Sequence, residues 1–284
     1  MPPSPFILLQ HLLPQHLLSR LTGRLAASEQ PWLKNLLIQR FIQHYGVNMA
    51  EAEHGAAADY ASFNAFFTRA LKPGARPQAS ATNAVLCPAD GAISAIGNIH
   101  DDSIFQAKGH DYSLTTLLGG DSRRAQPFRG GHFATIYLSP KDYHRVHSPL
   151  AGTLQEMVYV PGKLFSVNQR TADAIPGLFA RNERAVCLFD TAQGPMAVIL
   201  VGAMIVAAIE TVWAGRVAPA PHGLRINSYR QHSPAIQLAA GAELGRFLLG
   251  STAIVLFGPG SVHWDTALAT GSAVRMGQVL GWQQ

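Results

Sequence analysis

The chain has 284 residues, enough for one large domain or a core domain with an appendage. Hydrophobic residues make up 48% and charged residues only 14%, a balance that supplies a large core and leaves apolar surface to be used. The net charge of +5 favours anionic partners, but no Lys/Arg run with interleaved aromatics occurs, so anionic lipid or a phosphorylated substrate is favoured over nucleic acid.

The first five residues, Met1-Pro2-Pro3-Ser4-Pro5, carry no basic side chain, and Pro14 interrupts the Leu-rich stretch that follows, so no signal peptide is expected. Phe6, Ile7, Leu8, Leu9, Leu12 and Leu13 cluster there, and Leu17, Leu18, Leu21 and Leu25 fall at helical spacing. Residues 5–25 read as an interfacial amphipathic anchor, with packing on the core as the alternative.

Leu33, Leu36, Leu37, Phe41 and Tyr45 predict a second helix, started by Pro31 and ended by Gly46. A third is expected from near Asp59 to before Pro73-Gly74, with Phe63, Phe66 and Phe67 as core aromatics. Beyond residue 76, Gly and Pro punctuate short β-branched or aromatic runs. Strands are predicted over 133–138, 158–160, 185–190, 196–201, 205–213, 252–257 and 274–279, with long loops over 97–130 and 214–234. The uncharged run from Met196 to Ile209 is too short to span a bilayer and rich in β-branched residues, so no transmembrane helix is expected. The fold class is therefore α+β: a helical, membrane-associating region over 1–75, then a β-rich domain over 76–284. Cys87 and Cys187 stand in no metal-ligand spacing and read as buried reduced thiols.

Four blocks carry candidate chemistry. Leu249-Gly250-Ser251-Thr252 precedes a β-branched run; taken alone it is an ordinary strand-entry turn. Residues 137–147 read Tyr-Leu-Ser-Pro-Lys-Asp-Tyr-His-Arg-Val-His, placing His144 and His147 just after a predicted strand. Residues 88–94 read Pro-Ala-Asp-Gly-Ala-Ile-Ser, where Asp90 by itself is a turn residue. Residues 63–69 read Phe-Asn-Ala-Phe-Phe-Thr-Arg. His144-x-x-His147 could be half of a metal site, but no third ligand is evident beside it.

In this order and spacing the blocks resemble the phosphatidylserine decarboxylase family, particularly its bacterial membrane-associated type. Residues 159–168 (Tyr-Val-Pro-Gly-Lys-Leu-Phe-Ser-Val-Asn), 201–203 (Val-Gly-Ala) and 209–215 (Ile-Glu-Thr-Val-Trp-Ala-Gly) agree with it. The resemblance covers roughly residues 30 to 280; Ala207 stands where Gly is expected, and the first 25 residues match only in being apolar.

The resemblance implies a proenzyme that cuts itself between Gly250 and Ser251. Ser251 Oγ would attack the Gly250 carbonyl, with His147 as general base and Asp90 orienting it. The product chains, 1–250 and 251–284, would stay together as a heterodimer, with a homodimer of these pairs as a further assembly. Ser251 would become a pyruvoyl group, the covalent cofactor, with no metal. That group would form a Schiff base with phosphatidylserine, and CO₂ and phosphatidylethanolamine would be released. His144 would be the proton donor. A barrel-sandwich-like C-terminal part and a peripheral location on the cytoplasmic side of the cell membrane are also implied.

Other classes remain open on the residues alone. A serine hydrolase could use the same Asp90, His147 and Ser251, although G-x-S-x-G is absent. A lipoyl-like carrier needs an exposed Lys, and residues 247–284 contain none. A pyruvoyl enzyme for a soluble amino acid fits less well with an apolar, basic chain.

Overall fold

The structure is a computed structural model and describes residues 10, 13–204, 208–219, 223–248 and 251–284. The expectations for Phe6, Ile7, Leu8, Leu9 and Leu12, for the stretch 205–207, and for Gly250 fall outside the described residues.

Three helices precede the first strand: α1 (Gln15–Ala26), α2 (Pro31–Tyr45) and α3 (Phe63–Phe67). Pro31 occupies the first turn of α2, and Gly46 ends it at φ +64°, its N–H bonded to Ile42 O. The third helix is shorter than predicted. Ser62, rather than Asp59, is its N-cap, accepting a bond from Ala65 N, and residues 57–59 form a separate 3₁₀ turn. The helices pack through Phe41, whose ring meets Phe63, Phe66 and Phe67 edge-on at 5.1–6.0 Å.

The strands follow in chain order: β1 (Ala84–Leu86), β2 (Gly91–Asn98), β3 (Ser103–Ala107), β4 (His110–Ser113), β5 (His132–Leu138) and β6 (Arg145–His147). Then come β7 (Gly152–Val160), β8 (Arg184–Thr191), β9 (Gly194–Gly202), β10 (Ile209–Thr211), β11 (Gly215–Ala218) and β12 (Arg225–Ser228). The last six are β13 (Gln237–Leu238), β14 (Glu243–Phe247), β15 (Ser251–Phe257), β16 (Val262–Trp264), β17 (Ala273–Val274) and β18 (Val279–Gln283). Helices near the N-terminus and antiparallel strands beyond them make the chain α+β, as the patterning implies.

Nine strands form the main sheet, in the order β12-β7-β8-β9-β15-β5-β2-β17, with β13 on β7. The sheet is open, so no barrel closes among the described residues. A four-stranded sheet (β11-β10-β14-β6) and a three-stranded one (β1-β18-β16) supply a second layer. Alternation along β15 shows the layering. Ala253, Val255 and Phe257 pack with Val146, Ile209, Leu244 and Leu280 of the small sheets. Ile254 and Leu256 face the opposite core, with Leu117, Phe128 and Phe179 of the connecting segments. Cys187 sits in the first of these cores, and both cysteines are buried free thiols.

Three stretches differ from expectation. Residues 97–130 hold the hairpin β3–β4 and short helices at Leu114–Leu117 and Ser122–Ala125. Residues 214–234 hold β11 and β12. The run 274–279 is split between β17 and β18 by Gly277 at φ +86°, a turn conformation that favours glycine.

Candidate active site

Ser251 opens β15, the strand at the middle of the main sheet, paired with Gly202 of β9 on one side and Leu138 of β5 on the other. It shares the face of Ala253 and Val255, toward the small sheets. The residue is fully buried, and its Oγ has no hydrogen-bond partner among the described residues. β-branched residues follow Ser251, so the serine is held at the start of a strand buried on both faces.

The loop leaving Leu138 leads to both histidines. Asp142 closes a turn, its carboxylate accepting from Ser139 N and Ser139 Oγ at 2.7 Å. Arg69 Nη2 donates to Lys141 O at 3.0 Å, tying α3's trailing end to this loop. His144 follows, fully buried, with its ring 4.0 Å from that of Phe67. Its Nδ1 bonds Asp142 O at 2.8 Å; a carbonyl only accepts, so Nδ1 carries the proton and Nε2 bears a lone pair. Nε2 has no partner among the described residues. Burial pushes this imidazole down to about 3, so it is neutral at pH 7.

His147 ends β6, held between Pro88 O, which accepts its N–H, and Glu243 of β14. Its Nδ1 donates to Gly241 O at 2.9 Å. Its Nε2 accepts from the Tyr143 hydroxyl at 3.1 Å. Burial lowers its pKa and the bond to Gly241 opposes that shift, so His147 is a neutral base with the lone pair on Nε2. Burial pushes Tyr143 up to about 12, so its hydroxyl stays protonated and can donate. β14, the strand paired with β6, runs on toward Ser251, and Phe247 N donates to His144 O.

Asp90 is buried in the turn before β2, but its carboxylate bonds Arg76 and Met276 N, not His147. Arg76 Nε reaches both carboxylate oxygens at 2.9 and 3.0 Å, and its Nη2 bridges to Glu51 at 2.8 Å. Asp90 acts on His147 only through space, favouring the protonated ring. Ser251 thus opens β15, His144 and His147 follow β5 on the connection to and in β6, and Asp90 is held in an ion pair; among the described residues no hydrogen bond joins Ser251 to either histidine. Sequence reasoning missed Arg76, which lies 14 residues from Asp90 in no motif. It also missed the role of Tyr143, although that residue lies inside the quoted Tyr-His-Arg-Val-His string. Among the described residues no group of three or more His, Cys, Asp or Glu could hold a metal.

The scaffold is an antiparallel α+β fold that carries a buried serine at the start of a central strand and two buried histidines, one before and one within β6. A family model described as phosphatidylserine decarboxylase matches residues 63–282, and one described as PSD matches residues 5–46. The phosphatidylserine decarboxylase proenzyme of Ectopseudomonas mendocina (strain ymp) is 65% identical over 277 residues, covering 97% of each chain. Those of Pseudomonas putida (strain GB-1) and Pseudomonas aeruginosa (strain LESB58) are 64% and 63% identical over 276 residues, covering 97% of this chain and 96% of theirs. The chain belongs to the phosphatidylserine decarboxylase family.

Proposed function

We propose that the chain is a phosphatidylserine decarboxylase, made as one polypeptide that cuts itself between Gly250 and Ser251. Beyond family membership, the observation that carries this reading is Ser251 Oγ, buried at the head of β15 without a partner among the described residues. A hydroxyl in that setting is uncommitted, and its conversion to a ketone costs no existing hydrogen bond.

Ser251 Oγ attacks the Gly250 carbonyl carbon, and His147 Nε2 takes the hydroxyl proton after letting go of Tyr143. The C–N bond breaks, the Ser251 nitrogen takes a proton, and an ester remains. Asp90 supports the imidazolium through space rather than by contact. β-Elimination breaks the Cβ–O bond of the ester, releasing Gly250 as a carboxylate and leaving dehydroalanine, whose imine tautomer adds water and loses ammonia to leave a pyruvoyl group at residue 251. That group supplies a carbonyl for the substrate's amine and an electron sink for loss of CO₂. His144 Nε2, with its lone pair free, takes the proton that the substrate's ammonium must shed and returns it to the α-carbon.

The substrate is a membrane lipid, and two features support this. Leu17, Leu21 and Leu25 of α1 and Trp32 and Leu36 of α2 are exposed, Trp32 at 70%. Between the helices lies an apolar cavity of about 300 Å³, lined by Leu25, Leu37, Phe41, Phe63, Phe67 and Met204. Phe67 is also the ring against His144. No described helix is long and apolar enough to cross a membrane, and the reading is of a peripheral protein on the cytoplasmic face, where anionic lipid attracts its positive charge. The products 1–250 and 251–284 stay associated as one enzyme.

Intact-mass analysis of the purified chain tests this. Two fragments split after residue 250, the shorter with a blocked amino end, are expected. A single 284-residue polypeptide that releases no CO₂ from phosphatidylserine vesicles would end the proposal.

A further inference from the structure

A second cavity, of about 440 Å³, lies between α1 and the segments that carry Tyr159, Glu183, Ala208 and Arg216. Arg20 and Arg24 of α1 and Arg216 of β11 stand at its mouth, and Asn64, Tyr159 and Glu183 line its depth. The three arginines are exposed, and none pairs with a described carboxylate. Arg20 and Arg24 are four residues apart on one helix, an arrangement of like charges that costs stability unless an anion joins them.

The floor holds a carboxyl group whose pKa burial raises. Glu183 is 1% exposed and accepts the Tyr159 hydroxyl on Oε1. Among the described residues its Oε2 is buried without a partner, as are Asn64 Oδ1 and Ser19 Oγ on the same cavity's walls. A buried, half-satisfied carboxylate is costly unless a ligand completes it.

The sheet register ties this floor to the reactive serine. Arg184 pairs with Val201, and Gly202 N donates to Glu183 O at 2.8 Å, so Glu183 stands opposite Gly202. Gly202 in turn stands opposite Ser251. Residues directly opposite in an antiparallel ladder share a face, so Glu183 and Ser251 face the same side. They are two strands apart, about 10 Å between backbones. The residue between them is glycine, so no side chain stands in that lane. At the other wall Ala208 O accepts Leu248 N, three residues before Ser251.

Resting on the decarboxylase reading, we infer that this cavity binds the zwitterionic phosphoserine headgroup. Arg20, Arg24 and Arg216 hold the phosphodiester, and Glu183 Oε2 accepts from the ammonium before it reaches residue 251. A neutral or purely anionic headgroup leaves Glu183 unpaired, and the pocket discriminates on that ground.

The test uses processed enzyme and dihexanoyl phosphatidylserine below its micellar concentration, so that attraction to a charged membrane plays no part. Arg20→Gln and Arg24→Gln, both surface changes, should each raise KM about tenfold with kcat within threefold, the scale of one charge-assisted hydrogen bond. Arg24→Lys should recover part of that loss. Glycerophosphoserine should compete better than glycerophosphoglycerol or inorganic phosphate, and Glu183→Gln should erase that preference. An effect of the arginine variants on vesicles alone would reduce them to surface attraction and overturn the inference. Equal competition by inorganic phosphate would do the same. Calorimetric titration of glycerophosphoserine into the uncut Ser251→Ala chain reads the pocket without turnover. Binding there in a wild type that neither cuts nor decarboxylates would sink the decarboxylase reading and leave the pocket standing; no binding there beside an active wild type would sink the pocket alone.

Discussion

The Tyr143 hydroxyl donates to His147 Nε2 at 3.1 Å, while Gly241 O holds the opposite ring nitrogen at 2.9 Å. The imidazole is therefore fixed in one tautomer without a carboxylate, and its basic nitrogen is occupied. Tyr143→Phe should cost about 1 kcal/mol of stability, one buried hydrogen bond, yet speed self-cleavage several-fold because Nε2 is already released. Pulse-chase gels of freshly synthesised chain measure the rate. Slower cleavage in this variant would mean that the hydroxyl positions the ring rather than competing for it. His147→Ala should leave the chain uncut for hours.

The Asp90–Arg76 pair makes a separate prediction. Both side chains are nearly buried, at 6% and 7% exposure. Removing Arg76 strands the buried Asp90 charge, at a cost of about 3–5 kcal/mol, whereas removing Asp90 leaves Arg76 paired with Glu51. Arg76→Met should thus be destabilised more than Asp90→Asn in urea melts, and the double variant should be less destabilised than the sum of the two. If Asp90 also supports His147 through space, Asp90→Asn should cleave more slowly than Arg76→Met. Equal cleavage rates would confine Asp90 to the ion pair.

His144 should imprint itself on acid stability. Its folded-state pKa of about 3 lies below the ordinary 6.5, so between those values the unfolded chain binds the proton and the folded chain does not. Stability is full above pH 6.5 and declines as pH falls toward 3, by about 1.4 kcal/mol per unit from this one group. Burial of His147 adds in the same direction. His144→Gln should flatten the stability–pH slope in that window and process normally, while losing most decarboxylation. An unchanged slope in urea melts at pH 6.5, 5.5 and 4.5 would show that His144 is not the titrating group.

Much of this was legible in the chain. Ser251 to Phe257 carries a β-branched run without a polar break after Thr252, and it became a central strand buried on both faces. Leu17, Leu21 and Leu25 kept their helical spacing and their exposure. What could not be read was non-local or short. The hairpin β3–β4 has strands of five and four residues, too brief for alternation to register. Arg76 meets Asp90, and Gly241 meets His147 across 94 residues, through tertiary packing that no local pattern encodes. Tyr143 was in plain view but indistinguishable from a core aromatic until its hydroxyl was placed.

The exposed apolar stripe makes its own prediction. Leu21→Ser and Trp32→Ser remove side chains worth about 1.5–3 kcal/mol each when buried in lipid. Each should lower partitioning onto anionic vesicles by roughly tenfold or more in flotation assays. Processing should not change. Undiminished flotation of the double variant would move the membrane contact elsewhere.

The position of β15 has a mechanical consequence. A break ahead of Ser251 frees a tail whose first strand is zipped between β9 and β5, while its later strands β17 and β18 are sewn to β2 and β1 of the other piece. Pulling the short piece away would unzip the sheet down its middle and empty both cores at once. The two halves would be covalently separate yet inseparable short of denaturation, so neither could be swapped for a fresh copy, and each molecule would keep for life the terminus it made.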